Sequence, residues 1–205
     1  MNTIFIPLGR NCLIAGNLRL LNLRNLSLPF DWNLQKPAYK GLSCVNKLIT
    51  NNFNGLTDNL TYHNFNNKPC SKNYPNMIFV HHDLIKNSEL INNFTERSKK
   101  FMKIIHSNKM CVFCYNISFL VYGNINNMKT FFEDIIQFFN IMRDKCKFKL
   151  IIIVDNNVDF DLEIYNFIKI RKLNNLYFKK FIINRNVHKT YGDHLEFKKI
   201  LISCL

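Results

Sequence analysis

The apolar run Asn2–Leu8 stops at Gly9. The turn Gly9-Arg10-Asn11-Cys12 then leads into a segment, Cys12–Leu26, in which Leu13, Ile14, Leu18, Leu21 and Leu23 recur at close to helical spacing. A strand, a glycine turn and a helix opening at Cys12 would put a thiol beside unpaired helix N–H groups. That setting lowers a cysteine pKa and favours the nucleophilic thiolate, and the same N–H groups could hold an oxyanion. The competing reading is that Cys12, one cysteine of seven, is a small buried hydrophobe.

Three further groups carry chemistry-bearing residues. His81-His82-Asp83 closes the strand-like run Met77–His81, so an imidazole could point into a cleft while Asp83 fixes its tautomer, sits at the mouth or caps the next segment. Phe30-Asp31-Trp32 follows Pro29 and holds the only Trp; it can line a pocket or anchor its loop on the core, and anchoring is favoured. Tyr191-Gly192-Asp193-His194 precedes the last helical segment, with Asp193 suited to an N-cap and His194 able to reach the sheet edge as a base.

The elements that must position these residues alternate. After the first strand and helix, Leu34–Asn76 is Asn-rich and contains Pro37, Pro69 and Pro75; one helix near Tyr39–Thr50 and then an irregular insertion around 51–76 are expected. Beyond it the order is strand Met77–His81, helix Ser88–Ile105, strand Met110–Tyr115, helix Met128–Met142 and strand Lys149–Val154. A short helix Asp161–Ile170, strand Tyr177–Ile183 and helix Leu195–Leu205 complete the chain. Such alternation predicts one α/β domain over 1–205, three-layered, with a mainly parallel sheet covered by helices on both faces. The unbroken run Leu150-Ile151-Ile152-Ile153-Val154 fits a strand buried on both sides. Open α/β sheets bind ligands at the carboxyl ends of their strands, which nominates Gly9–Cys12, His81–Asp83, Asn116 and Asp155.

Composition bounds the function. With 47% hydrophobic residues and 19 Phe, the 205-residue chain has material for a packed core. No apolar run approaches the roughly 20 residues that cross a bilayer, so no membrane association is expected. Met1–Leu8 lacks a charged stretch before Gly9-Arg10, which suggests a cytoplasmic start and no signal peptide. The odd cysteine count fits reduced thiols. Cys111 and Cys114 form a C-x-x-C, but inside a strand residues three apart face opposite ways; two core thiols are the better reading, with no metal site and no cofactor. The net charge of +14 suggests attraction to polyanions. However, Lys outnumbers Arg 21 to 7 and Asn occurs 32 times, a bias that an AT-rich genome produces without selection for nucleic acid. The charges are also scattered, so weak non-specific polyanion binding is expected.

Taken together, Pro7-Leu8-Gly9-Arg10-Asn11-Cys12, Leu18-Arg19-Leu20-Leu21, Pro29-Phe30-Asp31-Trp32 and Phe79-Val80-His81-His82-Asp83 resemble the motifs of a family of papain-like cysteine peptidases found in bacteria and large DNA viruses. Glu96-Arg97 to Phe101 and Val112-Phe113 extend the likeness. The resemblance implies a papain-like α+β fold as the alternative to the three-layer reading. It also implies Cys12 as nucleophile and His82 as leading base, supported by Asp83 or Asp31.

These readings converge on a cysteine-dependent hydrolase or acyl-transfer enzyme acting on a protein, or on an acylated or glycosylated molecule. Its catalytic candidates are Cys12, His82, Asp83 and His194, and its substrate or anion contacts Gly9, Arg10, Asn11, Asp31, Trp32, His81 and Asp193. Two alternatives stand beside it. One is an SGNH-esterase-like hydrolase using His194. The other is a non-enzymatic domain in which Gly9–Cys12 holds an anion or nucleic acid.

Overall fold

A computed structural model describes residues 3–9, 11–31, 33–37, 40–64, 66–118, 125–155, 166–167, 169–181 and 193–205. Strands β1 (Thr3–Pro7), β6 (Met110–Ser118), β7 (Phe148–Asp155) and β8 (Leu176–Phe181) form a parallel sheet in that order. Ile4 stands opposite Cys111, Cys114 opposite Ile151, and Ile151 opposite Tyr177. Because side chains alternate along a strand, the sheet has two apolar faces. Ile6, Phe113, Tyr115, Leu150 and Ile152 belong to one core, and Phe5, Val112, Cys114, Ile151 and Ile153 to the other.

Helices cover both faces. α1 (Leu13–Leu20) brings Leu13, Ile14 and Leu18 to the second core, where α5 (His194–Ile202) adds Phe197 and Leu201. The first core receives α3 (Glu89–Ile105) and α4 (Ile125–Met142), and Phe101 and Phe138 from these helices lie against Phe113. α2 (Gly41–Thr50) packs on α4, where Asn46 donates to the Asp134 carbonyl at 2.9 Å. A second, antiparallel sheet is built from β2 (Leu34–Gln35), β5 (Tyr74–Ile78), β4 (Pro69–Ser71) and β3 (Leu60–Tyr62), in that order. The architecture is therefore mixed: a parallel sheet with helices on both faces, plus an antiparallel sheet that gives it α+β character.

Three expectations change. The strand expected over Met77–His81 lies at Tyr74–Ile78 and pairs antiparallel, with β2 on one side and β4 on the other. Alternation reports a buried face but not the direction of the partner. The segment 51–76 is more ordered than an irregular loop, since it contains β3, β4 and the start of β5. Its loop is pinned by the Ser71 hydroxyl, which donates to the carbonyls of Gly55 (2.8 Å) and Asp58 (2.9 Å). Finally, α1 ends at Leu20, short of Leu26. Asn22 turns left-handed (φ 55°), and the N–H groups of Leu23 and Asn22 bond the carbonyls of Leu18 and Arg19, a Schellman closure with Asn in the place usually taken by Gly. Of the helix expected over Asp161–Ile170, residues 166, 167, 169 and 170 are helical and the remainder lies outside the described residues. No helix among the described residues is long and apolar enough to cross a membrane.

Candidate functional site

The Cys12 turn is held at both ends. On the strand side, the Leu8 N–H donates to the Cys114 carbonyl (2.9 Å), which continues the β1–β6 ladder by one residue. The Leu8 carbonyl accepts from Gln35 Nε2 at 2.9 Å. Gly9 then adopts φ +89°, and a Cβ there would stand 2.5 Å from Gln35 Nε2 and 3.3 Å from the Phe30 carbonyl; only glycine satisfies both the dihedral and the space. On the helix side, Asn11 Oδ1 accepts the Leu13 N–H at 3.0 Å, bracing the entry to α1, while its Nδ2 reaches Asn116 Oδ1 at 3.4 Å. Buried Asn116 in turn donates to the Ile153 carbonyl of β7 at 3.4 Å. Arg10 lies outside the described residues.

Cys12 thus sits half-buried just before α1, at the carboxyl edge of the parallel sheet. The expected lowering of its pKa is reversed. Burial raises the thiol above its ordinary value, and the hydrogen bond from its own backbone N–H only partly offsets this. Burial thus favours the thiol form of Cys12 over the thiolate. An anion cradle at this turn also loses one donor, because the Leu13 N–H is taken by Asn11. Among the other thiols, Cys44, Cys70, Cys111, Cys114 and Cys204 are buried and Cys146 is half-buried. Cys111 and Cys114 face the two different cores, as their spacing predicts. Among the described residues, no group of three or more His, Cys, Asp or Glu is arranged to hold a metal ion.

Gln35 has no counterpart in the sequence reading, because nothing in the composition of Leu34-Gln35-Lys36 marks it. It is 1% exposed and wedged between two glycines. A Cβ on Gly41 would lie 2.5 Å from its Oε1, just as one on Gly9 would meet its Nε2.

Asp31 has no exposed surface. Its carboxylate pairs with Arg24, itself almost wholly buried, and accepts the Leu28 N–H at 2.8 Å. It therefore anchors the 24–31 loop and does not offer a carboxylate to a ligand; the substrate-contact reading is corrected by its burial. Burial pushes Asp31 up to about 6, against the opposing pull of Arg24, the Leu28 N–H and Arg97. Arg97 links this anchor to His82. Its guanidinium lies 4.9 Å from the centre of the Phe94 ring, and the His82 ring meets the same ring edge-on at 5.7 Å. Burial first, then the charge of Arg97 and the neighbouring His81, hold His82 below the usual imidazole value. Trp32 lies outside the described residues.

His81–Asp83 do not end a parallel strand, because β5 belongs to the other sheet. They lie in the connection from β5 to α3, and neither Gly9, Asn11 nor Cys12 lines their cleft. α3 ends just before β6 starts, so its beginning, and the residues leading to it, lie toward the carboxyl edge. His81, His82 and Asp83 line a cleft of about 620 Å³ with Tyr62, Lys68 and Lys86. Asp83 is engaged there by the Tyr62 hydroxyl at 3.5 Å, the Lys86 N–H at 3.2 Å and the Lys86 ammonium at 3.7 Å. Its contacts therefore point to a place at the mouth of the cleft.

Asp193 is the N-cap of α5, accepting from the N–H groups of Leu195 (2.8 Å) and Glu196 (3.2 Å). That contact spends the side chain on the helix and corrects its reading as a ligand contact. The far end of α5 is tied to the start of β7, where Lys149 Nζ donates to the carbonyls of Cys204 (2.8 Å) and Leu205 (2.6 Å). α5 consequently begins at the carboxyl edge beside α1. α1 and α5, which open beside Cys12 and His194, pack on one sheet face, and α3, which follows His81–Asp83, packs on the other.

The half-buried Cys12 precedes the first helix at the carboxyl edge of the parallel sheet, the edge at which open α/β sheets bind ligands. A family model described as "Putative papain-like cysteine peptidase (DUF1796)" matches residues 3–154, and the chain belongs to this family. No curated protein and no solved structure matches the chain.

Proposed function

We propose that the chain is a cysteine-dependent hydrolase or acyl-transfer enzyme with Cys12 as nucleophile and His82 as general base. The observation that carries this reading is the Cys12 turn: a half-buried thiol before α1, in a backbone fixed at both ends by Gln35 and Asn11. Fixed reacting groups convert binding into rate. An imidazole held low and a thiol held high favour His82 as proton acceptor and Cys12 as proton donor. The imidazole takes the thiol proton as Sγ attacks a carbonyl carbon, and the carbonyl oxygen becomes an oxyanion near the N–H groups opening α1. The imidazolium then returns its proton to the leaving group, and water hydrolyses the thioester. Arg97 opposes premature protonation of His82, and Asp83 sits at the cleft mouth.

The reading of His82 over His194 is supported by its place within residues 3–154, the family's span. The second reading, with His194 as base, is favoured by one observation: α1 and α5 are neighbours that begin at the same edge and on the same face. One experiment separates them. The parent, Cys12→Ala, His82→Ala and His194→Ala chains are mixed with p-nitrophenyl acetate, and acylation is followed by intact mass and peptide mapping. The reading expects a burst with one acetyl group on Cys12, absent in Cys12→Ala and slowed by about a hundredfold or more when the base is removed. Acetylation spread over lysines, unchanged in Cys12→Ala, would overturn it.

A further inference from the structure

We propose that Gln35 is the positioning residue of the Cys12 turn, setting the reactivity of the thiol through the Leu8 carbonyl; this rests on reading Cys12 as the nucleophile. Between the last ladder bond of β1 and the first residue of α1 the chain crosses only Gly9, Arg10, Asn11 and Cys12. The far end of that span is fixed by Asn11 on Leu13. The near end depends on one side-chain contact, Gln35 Nε2 to the Leu8 oxygen at 2.9 Å. Gln35 is itself 1% exposed and its strand is paired, Gln35 opposite Met77.

The amide has no room to relax. Its Nε2 occupies the space a Cβ on Gly9 would need, and its Oε1 the space a Cβ on Gly41 would need. Among the described residues, the one hydrogen bond of this amide runs from Nε2 to the Leu8 carbonyl. Through this contact the antiparallel sheet reaches the nucleophile turn, a coupling that no sequence motif announces. Gln35 touches no reacting atom in this account; it acts through Leu8 and Gly9.

The test reads Cys12 directly and needs no substrate. 2,2′-Dipyridyl disulfide reacts with thiols even in acid, and site-resolved mass spectrometry gives the Cys12 rate against Cys146 in the folded chain from acid to alkaline pH. Gln35→Met keeps the length of the side chain and removes the donor. It is expected to change the Cys12-to-Cys146 rate ratio by about tenfold or more and to move the midpoint of the Cys12 profile. Gln35→Glu provides a second variant. When protonated it can donate to the Leu8 carbonyl and should resemble the parent in acid; once ionised it cannot donate, and its profile should depart. Ser71→Ala is the control, because buried Ser71 braces the same sheet far from the turn; it should lower the melting temperature and leave Cys12 unmoved. An unchanged Cys12 profile in folded Gln35→Met and Gln35→Glu, or an equal change in Ser71→Ala, overturns the proposal. Cys12 reactivity that follows Gln35 in a chain with no acyl turnover keeps the positioning role and removes the hydrolase reading. Normal turnover with an unmoved profile does the reverse.

Discussion

Replacing Gly9 by alanine tests whether the turn before Cys12 is built as tightly as the geometry states. Two costs add. The first is conformational: at φ +89° an L side chain costs roughly 1–2 kcal/mol. The second is steric. A Cβ at 2.5 Å from Gln35 Nε2 and 3.1 Å from its Cδ must displace a side chain that is packed against Gly41 on its other side. Displacement breaks the bond to Leu8 and leaves its buried carbonyl unsatisfied, worth about 1–3 kcal/mol. The sum is about 2–5 kcal/mol, a large part of the 5–15 kcal/mol of a typical domain. Gly55→Ala is the matched comparison. Its φ is +78°, but its Cβ would meet only the amide end of Asn73 at 2.7 Å in an exposed loop, so it should show the conformational cost of about 1–2 kcal/mol alone. Urea unfolding, followed by far-UV circular dichroism and by the fluorescence of the single Trp, gives both values. Equal losses in the two variants, or a Gly9→Ala loss under about 0.5 kcal/mol, would refute the argument.

Other consequences follow from the same structure. Asp31 binds its proton more tightly in the folded chain than at its ordinary 3.8, so its contribution to stability is full below that value and is lost as pH rises toward about 6. Urea midpoints of the parent should fall between pH 4 and pH 7, and Asp31→Asn should flatten that fall; an identical fall in both would contradict the assignment. Asp134, pushed to about 6 by burial, adds in the same direction. Phe101→Ala removes a fully buried ring with centroids 5.4 Å from Phe30 and 5.3 Å from Phe53, and should cost about 3–5 kcal/mol in urea unfolding. Asn11→Ala removes the acceptor of the Leu13 N–H and should cost about 1 kcal/mol, with faster hydrogen exchange at the Leu13 amide as its local signature.

The parallel sheet was legible because its strands are buried on both faces. Leu150–Val154 and Met110–Tyr115 are continuous apolar runs, and the helices between them carry regular apolar spacing. The antiparallel sheet was not. β2 has two residues and β3 and β4 three each, too short for any period to show. Their positions depend on contacts distant in sequence, such as Ser71 with Gly55. The turn at Gly9–Cys12 could be read because a strand, a glycine and a helix follow one another locally. The thiol's pKa could not, since burial depends on elements distant in sequence. Asp31 illustrates the same boundary: its motif marked it, but only the fold pairs it with Arg24. Gln35 lies wholly beyond it, because a lone glutamine gains its role from two glycines, one on each side, that the fold brings to it.

The most direct test of the central claim is the pH dependence of Cys12 alkylation by iodoacetamide, resolved by site, in the parent, His82→Ala and His194→Ala chains. Burial alone would move the Cys12 profile upward from the free-thiol value of about 8.5. The account predicts that the parent Cys12 already reacts near neutral pH, faster than Cys146, and that His82→Ala moves its profile upward while His194→Ala leaves it in place. A Cys12 that stays inert until alkaline pH, with a profile indifferent to both substitutions, would contradict the account.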